Sequence, residues 1–156
     1  MSPRGGVPGR SVQANPAAAR RGPRARWALP CAVMVALGLH ANGVMSRDKK
    51  LADALVDIGE TSGDYCWELP LWDEYEDSIR GTFADVSNVP GNGASSRYGG
   101  AINGGIFLWQ FAKELDCPWA HIDIASRMTT TSADELAKGA AGSPVRLLIQ
   151  FIESWN

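Results

Sequence analysis

AVMVALGLHANGVMSRDKKLADALVDIGETS, residues 32–62, decides the fold class. Its first six residues are a short valine-rich apolar run closed by Gly38, which reads as a buried strand of a parallel or mixed sheet. Residues 47–61 then read as an amphipathic helix. Leu51, Ala54, Leu55 and Ile58 fall at i, i+3, i+4 and i+7 with charges between them, and Gly63 is the expected stop. A strand leading directly into a helix is the unit of an α/β layered domain.

The pattern continues downstream. Pro70 separates a short extended piece, WEL, from a helix that starts near Trp72. FADVSNV (83–89) reads as a strand, and Pro90 to Gly105 as a long glycine-rich loop. A helix follows over about 100–115, with Ile102, Phe107, Leu108, Phe111 and Leu115 on one face. WAHIDIA (119–125) is a strand, and residues 126–142 are polar and loop-like. The last helix, 143–155, carries Val145, Leu148, Ile149 and Ile152 as one stripe, widened by Leu147, Phe151 and Trp155. No internal repeat is visible.

The 156 residues suit one domain, and 45% hydrophobic content is enough for a real core. The formal net charge of −2 hides two unlike parts. Residues 1–47 hold seven Arg and no acid, giving +7. Residues 48–156 hold eight basic and seventeen acidic residues, giving −9. Residues 1–27, MSPRGGVPGRSVQANPAAARRGPRARW, have no hydrophobic period and cannot fold alone. They read as a disordered or mis-assigned lead, of the kind that a start in the wrong frame of GC-rich DNA produces. Two other readings stand beside it: an Arg-rich transit peptide, and an export signal at 20–41 cleaved after Ala41. The apolar run from Trp27 to Val44 is too broken by Pro30, Gly38, His40, Asn42 and Gly43 for a membrane span. Cys31, Cys66 and Cys117 show no CxxC spacing and read as small buried residues.

Each candidate for chemistry has a plainer reading. GNGASS (91–96) lacks the third glycine of a dinucleotide loop and the Gly-Lys-Ser/Thr of an ATP loop. Asp73, Glu74, Glu76 and Asp77 offer carboxylates to a hard cation, but a metal site needs oxygens converging from several directions. A solvated helix start complementing the helix dipole is the simpler reading. His121 and Asp123 sit at i, i+2 of a strand and point to one face, as a base and its orienting carboxylate would. No nucleophile motif accompanies them, so His121 reads as a hydrogen-bonded core histidine. His40 carries no signal. The glycines of KGAAG (138–142) read as close-packing positions.

Six segments in order resemble the leucyl (cytosol) aminopeptidase family: VALGLHANGVM (35–45), GETSGDYCWELPLWDEY (59–75), FADVSNV (83–89), GGAINGGIFLWQFAKE (99–114), WAHIDIA (119–125) and KGAAGSPVRLLIQFIE (138–153). The resemblance implies a partial three-layer α/β domain, a mixed sheet flanked by helices, with residues 28–156 as the C-terminal portion of the catalytic domain. It also implies metal-dependent exopeptidase chemistry on peptides, two divalent ions (Mn or Zn), hexameric assembly and a cytoplasmic location, with no nucleic-acid or membrane partner.

The family's Asn-Thr-Asp-Ala-Glu-Gly-Arg signature is absent from this chain, and its Thr-Leu-Thr-Gly loop aligns with Ala28-Leu29-Pro30-Cys31. No catalytic residue and no metal ligand is therefore assigned, and the isolated chain is expected to be inactive. A non-catalytic fragment that associates with full-length subunits is the alternative. One part of the substrate site carries over: Ala125 and Met128 match the positions lining the pocket for the first side chain. Ser126 and Arg127 between them depart from the family's glycine-led pattern.

Overall fold

The computed structural model describes residues 32–81, 85–88, 98–132 and 137–155. The lead at 1–27, Ala28 to Cys31, most of the 20–41 signal and GNGASS lie outside the described residues. The elements run α1 (Ala32–Leu37), β1 (Asn42–Ser46), α2 (Lys49–Ser62), β2 (Cys66–Glu68), a 3-10 helix (Asp73–Ile79), α3 (Gly100–Ala112), β3 (Ala120–Asp123), a 3-10 turn (Ala125–Arg127) and α4 (Val145–Ser154).

β1 is the middle of a three-stranded mixed sheet in the order β2-β1-β3. It pairs parallel to β2, Gly43 opposite Trp67, and antiparallel to β3, Val44 opposite Ile122. Asn42, Gly43, Val44 and Met45 are all buried. Successive side chains leave a strand on opposite faces, and two cores result. Val44 packs with Leu51, Leu55, Cys66 and Leu147 on the α2/α4 side. Met45 packs with Leu71, Ile79 and Ile106 on the α3 side. The expected mixed sheet between helical layers is present.

The strand expected at 32–37 is a helix instead. A six-residue apolar run has no period that separates a strand from a buried helix turn. Gly38, at φ +66°, closes α1 with its N–H on Met34 O at 2.9 Å. The buried strand follows at Asn42–Ser46, and α1 lies against it through Val33, which is fully buried. Cleavage after Ala41 would remove this helix.

α2 matches its expected span. Asp48 accepts from Leu51 N–H at 2.9 Å to cap its start, and Gly63 at φ 73° ends it. The helix expected from Trp72 is a 3-10 helix over Asp73–Ile79, longer than the three or four residues usual for that geometry. Of the strand expected at 83–89, the described residues show one bridge, Val86 to Arg80; residues 82–84 and 89 lie outside them. α3 fully buries Ala101, Asn103, Gly105, Ile106 and Ala112, while Ile102 and Phe107 of its expected face pack partly buried against the Met45 core. Leu108, Phe111 and Leu115 are exposed. In α4 only Leu147 is fully buried, with Phe151 and Trp155 packed beside it. The expected stripe of Val145, Leu148, Ile149 and Ile152 faces outward. Cys66 is buried as expected, whereas Cys117 is exposed in the loop after α3.

Asp64 holds α4 to the rest of the molecule. Its carboxylate is fully buried in the turn between α2 and β2. It accepts from Arg146 N at 3.0 Å, Leu147 N at 3.2 Å and the Arg146 guanidinium at 2.6 Å. These backbone amides are orphan donors at a helix start, so Asp64 caps α4 across the fold. Arg146 Nε also donates to Ser62 O at 3.1 Å, at the end of α2. Nearby, buried Asn42 donates to Ser143 Oγ at 2.9 Å. Burial pushes the adjacent Cys66 thiol up to about 11.

This packing makes two positions of α3 and one buried carboxylate testable. A Cβ on Gly105 would lie 2.5 Å from Met45 Sδ and 3.3 Å from Leu71 Cδ1, whereas one on Gly104 meets nothing within 4 Å. Gly105→Val is expected to cost about 1–3 kcal/mol by overpacking, and Gly104→Ala to stabilise by about 0.5–1 kcal/mol through helix propensity. Urea midpoints should move in opposite directions. Asp64→Ala is expected to cost about 2–3 kcal/mol, since it strips hydrogen bonds to a charged acceptor from a helix start. Asp64→Asn should cost less, because it keeps one carbonyl acceptor. Equal losses for the two in urea unfolding would contradict the capping role.

Candidate functional site

The segment after β3 carries the expected pocket residues. Asp123 Oδ1 accepts from Ala125 N at 3.1 Å and turns the chain out of the sheet into the 3-10 turn. Ser126 Oγ donates to Ala41 O, and Arg127 Nη1 to Leu39 O at 3.4 Å. Both residues are buried, so the turn is clamped onto the α1–β1 connection. Ala125 packs with Val33 and Ala101. Met128 comes next and leaves its side chain half exposed, while its carbonyl accepts from Ala141 N at 3.2 Å. The expected pair is thus split between a buried position and a surface position on one clamped turn.

Thr129 bridges Ala140, and Thr130 N–H donates to Gly139 O at 2.8 Å. This holds the KGAAG stretch beside Met128. Close packing, the expected role of its glycines, is not what Gly142 does. It sits at φ +70°, and a Cβ there would meet nothing within 4 Å. The requirement at this position is backbone conformation.

The acidic run does not form a metal site. Arg47 pairs with Asp73 at 2.5 Å and with Glu76 at 3.2 Å, while Arg80 pairs with Asp77 at 2.9 Å. The Arg47 guanidinium also stacks 4.9 Å from the Trp109 ring centroid. The helix start is therefore ion-paired as well as solvated. Among the described residues, no three His, Cys, Asp or Glu side chains converge as a metal site would require. These residues do not fit a two-metal centre.

His121 and Asp123 share a face of β3, both half-buried, and no hydrogen bond joins them among the described residues. In place of the hydrogen-bonded core position expected for it, the His121 ring stacks on Trp119 at 6.5 Å. Burial lowers the His121 pKa from its ordinary value, opposed by the Asp123 charge. Burial raises that of Asp123, opposed by the Ala125 N–H and by His121.

Sequence reasoning passed over Asp64 and Asn42 and did not anticipate the reach of Arg127 to Leu39. All three are buried polar groups with long-range partners. The sole local signal was Asp64 placed directly after a helix-ending glycine.

With this geometry in view, the comparisons with known proteins converge. The profile described as "Cytosol aminopeptidase family, catalytic domain" matches residues 28–149. A probable cytosol aminopeptidase of Nitrosococcus oceani is 42% identical over 121 residues, 78% of this chain and 22% of that protein. One from Albidiferax ferrireducens is 46% identical over 121 residues, 78% of this chain and 23% of that protein. The chain therefore spans less than a quarter of these relatives. Among solved structures, a tomato leucine aminopeptidase mutant aligns with TM-score 0.66 and 32% identity, over 78% of this chain and 22% of that one. The bottromycin maturation enzyme BotP in complex with Mn aligns with TM-score 0.70 and 28% identity, over 79% and 26%. Among the described residues, no helix is long and apolar enough to cross a membrane.

The His121 environment predicts a pH dependence. The native ring resists protonation while the unfolded one takes a proton near 6.5, so the unfolded state binds more protons as pH falls through that value. Stability should drop from about pH 7 to about pH 5.5, and His121→Gln should flatten that slope. Asp123 acts in the opposite sense, costing stability as pH rises from 3.8 through its raised native pKa. An unchanged slope in the variant, read from urea midpoints, would contradict this assignment.

Proposed function

Because the chain belongs to the cytosol aminopeptidase family, we propose that residues 28–156 are the C-terminal part of a metal-dependent leucyl aminopeptidase catalytic domain. Residues 1–27 are a lead foreign to that fold. The chain supplies sheet scaffold and a wall of the substrate pocket, and the metal ligands belong to the part of the domain that it does not span. The observation that carries this reading is a matched scaffold whose acidic cluster is engaged by Arg47 and Arg80. The family's ligand signature is also absent from the sequence.

In the complete enzyme, the substrates are peptides, the reaction releases their N-terminal residue, and the location is cytoplasmic. The family's pair of divalent ions, Mn or Zn, would be held by those upstream ligands, and the assembly is a hexamer of complete subunits. Ala125 supplies a small buried floor and Met128 an adaptable thioether at the surface, a combination suited to a medium apolar side chain.

A second reading is a non-catalytic fragment that associates with full-length subunits. The outward stripe of Val145, Leu148, Ile149 and Ile152 favours it, since an apolar helix face of this kind marks an interaction surface.

The purified 156-residue chain, supplied with Mn²⁺ or Zn²⁺, is expected to release no p-nitroaniline from leucine p-nitroanilide. Hydrolysis above the metal-only blank would overturn the inactive-fragment reading. Co-elution with an intact homologous aminopeptidase would select the second reading.

A further inference from the structure

α4 turns four apolar side chains outward. Val145 is 54% exposed, Leu148 41%, Ile149 52% and Ile152 75%. At about 100° per residue they share one face of the helix. Buried Leu147, which docks α4 on the Val44 core, projects from nearly the opposite side. The stripe is therefore an uncovered interaction surface. We propose that its occupant is the α4 of a second copy of this chain, packed antiparallel across a two-fold axis.

Two observations select a second copy. The first is the symmetry of the stripe. Residues 145, 148, 149 and 152 are spaced evenly about the midpoint between Leu148 and Ile149. A two-fold interface is self-complementary, each residue i meeting j while j meets i. Turned end for end about that midpoint, the stripe sets Val145 against Ile152 and Leu148 against Ile149. The second observation is charge. Arg146 and Glu153 stand on the same edge of the stripe, about 20° apart around the helix axis. The two-fold keeps like edges together and reverses their ends. Arg146 of each copy then lies beside the partner's Glu153, about 3 Å away along the axis. Arg146 leaves 45% of its side chain exposed after bonding Asp64 and Ser62, and Glu153 is exposed. Antiparallel packing also sets the two helix dipoles head to tail.

Four side chains on each copy fall well short of the about 20–30 residues a side of a standard interface, so the pair is weak and forms at high concentration. An intact homologous subunit, the partner in the second functional reading, would need a face with the reversed charge pattern. A second α4 carries that pattern by symmetry. The inference concerns α4 alone and stands or falls apart from the peptidase reading.

The test is sedimentation of the full 156-residue chain over a hundredfold concentration range. The mass is expected to rise from one chain toward two and stop there. One chain throughout, or a mass climbing past two, would overturn the proposal. Glu153→Lys is the discriminating variant. It favours α4 itself, since a cation suits a helix C-terminus, yet it faces the partner's Arg146 and should raise the dissociation constant at least threefold. Unchanged or tighter association would count against the pairing and overturn it. Orientation is read by oxidation in a Cys31→Ser, Cys117→Ser background. The two copies of residue 149 lie at nearly the same level beside the axis, whereas those of residue 152 are about 10 Å apart along it. Ile149→Cys should therefore link at least fivefold more than Ile152→Cys, and equal yields would overturn the antiparallel arrangement. Co-elution with an intact homologous aminopeptidase in the absence of self-association would also overturn the proposal.

Discussion

Val44 and Met45 are chain neighbours, yet they fill different cores. β1 has no face left for solvent, so every layer of this molecule is organised by what those two side chains need. Val44 requires α2 and the inner side of α4, while Met45 requires α3 and the 3-10 helix around Ile79. The same demand explains Gly105. α3 reaches the sheet closely because no side chain stands between its backbone and Met45. A strand buried on both faces also needs partners on both edges, and it has them in β2 and β3.

Around this strand the molecule buries polar groups that no local pattern demands. Asp64 is fully buried as a carboxylate, a costly state unless several donors converge on it. Two helix-start amides and a guanidinium do so. Ser126 and Arg127 play a matching role beside the same, N-terminal end of β1, tying the turn after β3 to the carbonyls of Ala41 and Leu39. The clamped turn leading from Ala125 to Met128 is therefore set by hydrogen bonds to the α1–β1 connection, and the Met128 carbonyl accepts from Ala141 N–H while its side chain stays half exposed.

Periodicity exposed the amphipathic α2 and the spans of α3 and α4, because each carries a run long enough for a 3.6-residue repeat to register. It failed at α1, where six residues are too few to separate helix from strand. It also placed part of the apolar faces of α3 and α4 wrongly: Ile102, Phe107, Leu147, Phe151 and Trp155 do pack on the cores, but their apolar neighbours do not. Leu108, Phe111, Ile149 and Ile152 are as apolar as any core residue, and hydrophobicity alone does not say which apolar face finds a partner within this chain. The site was legible in a different way. Co-linear segments located the Ala125–Met128 turn, but the ion pairs that engage Asp73, Glu76 and Asp77 depend on Arg47 and Arg80 arriving in three dimensions, and spacing does not encode that. Asp64 was invisible for the same reason: its partners lie 82 residues and more away.

That separation has a consequence for how the chain is made. At a synthesis rate of about 5–20 residues per second, Asp64 leaves the peptidyl-transferase centre several seconds before Arg146. During that interval its carboxylate has no helix to cap and must stay hydrated. The α2/β2 turn therefore cannot reach its final burial, nor can Leu55 and Cys66 beneath it, until Arg146 and Leu147 are translated. Closure of this core waits on residues 145–147, and a ribosome that stalls before residue 146 leaves it open.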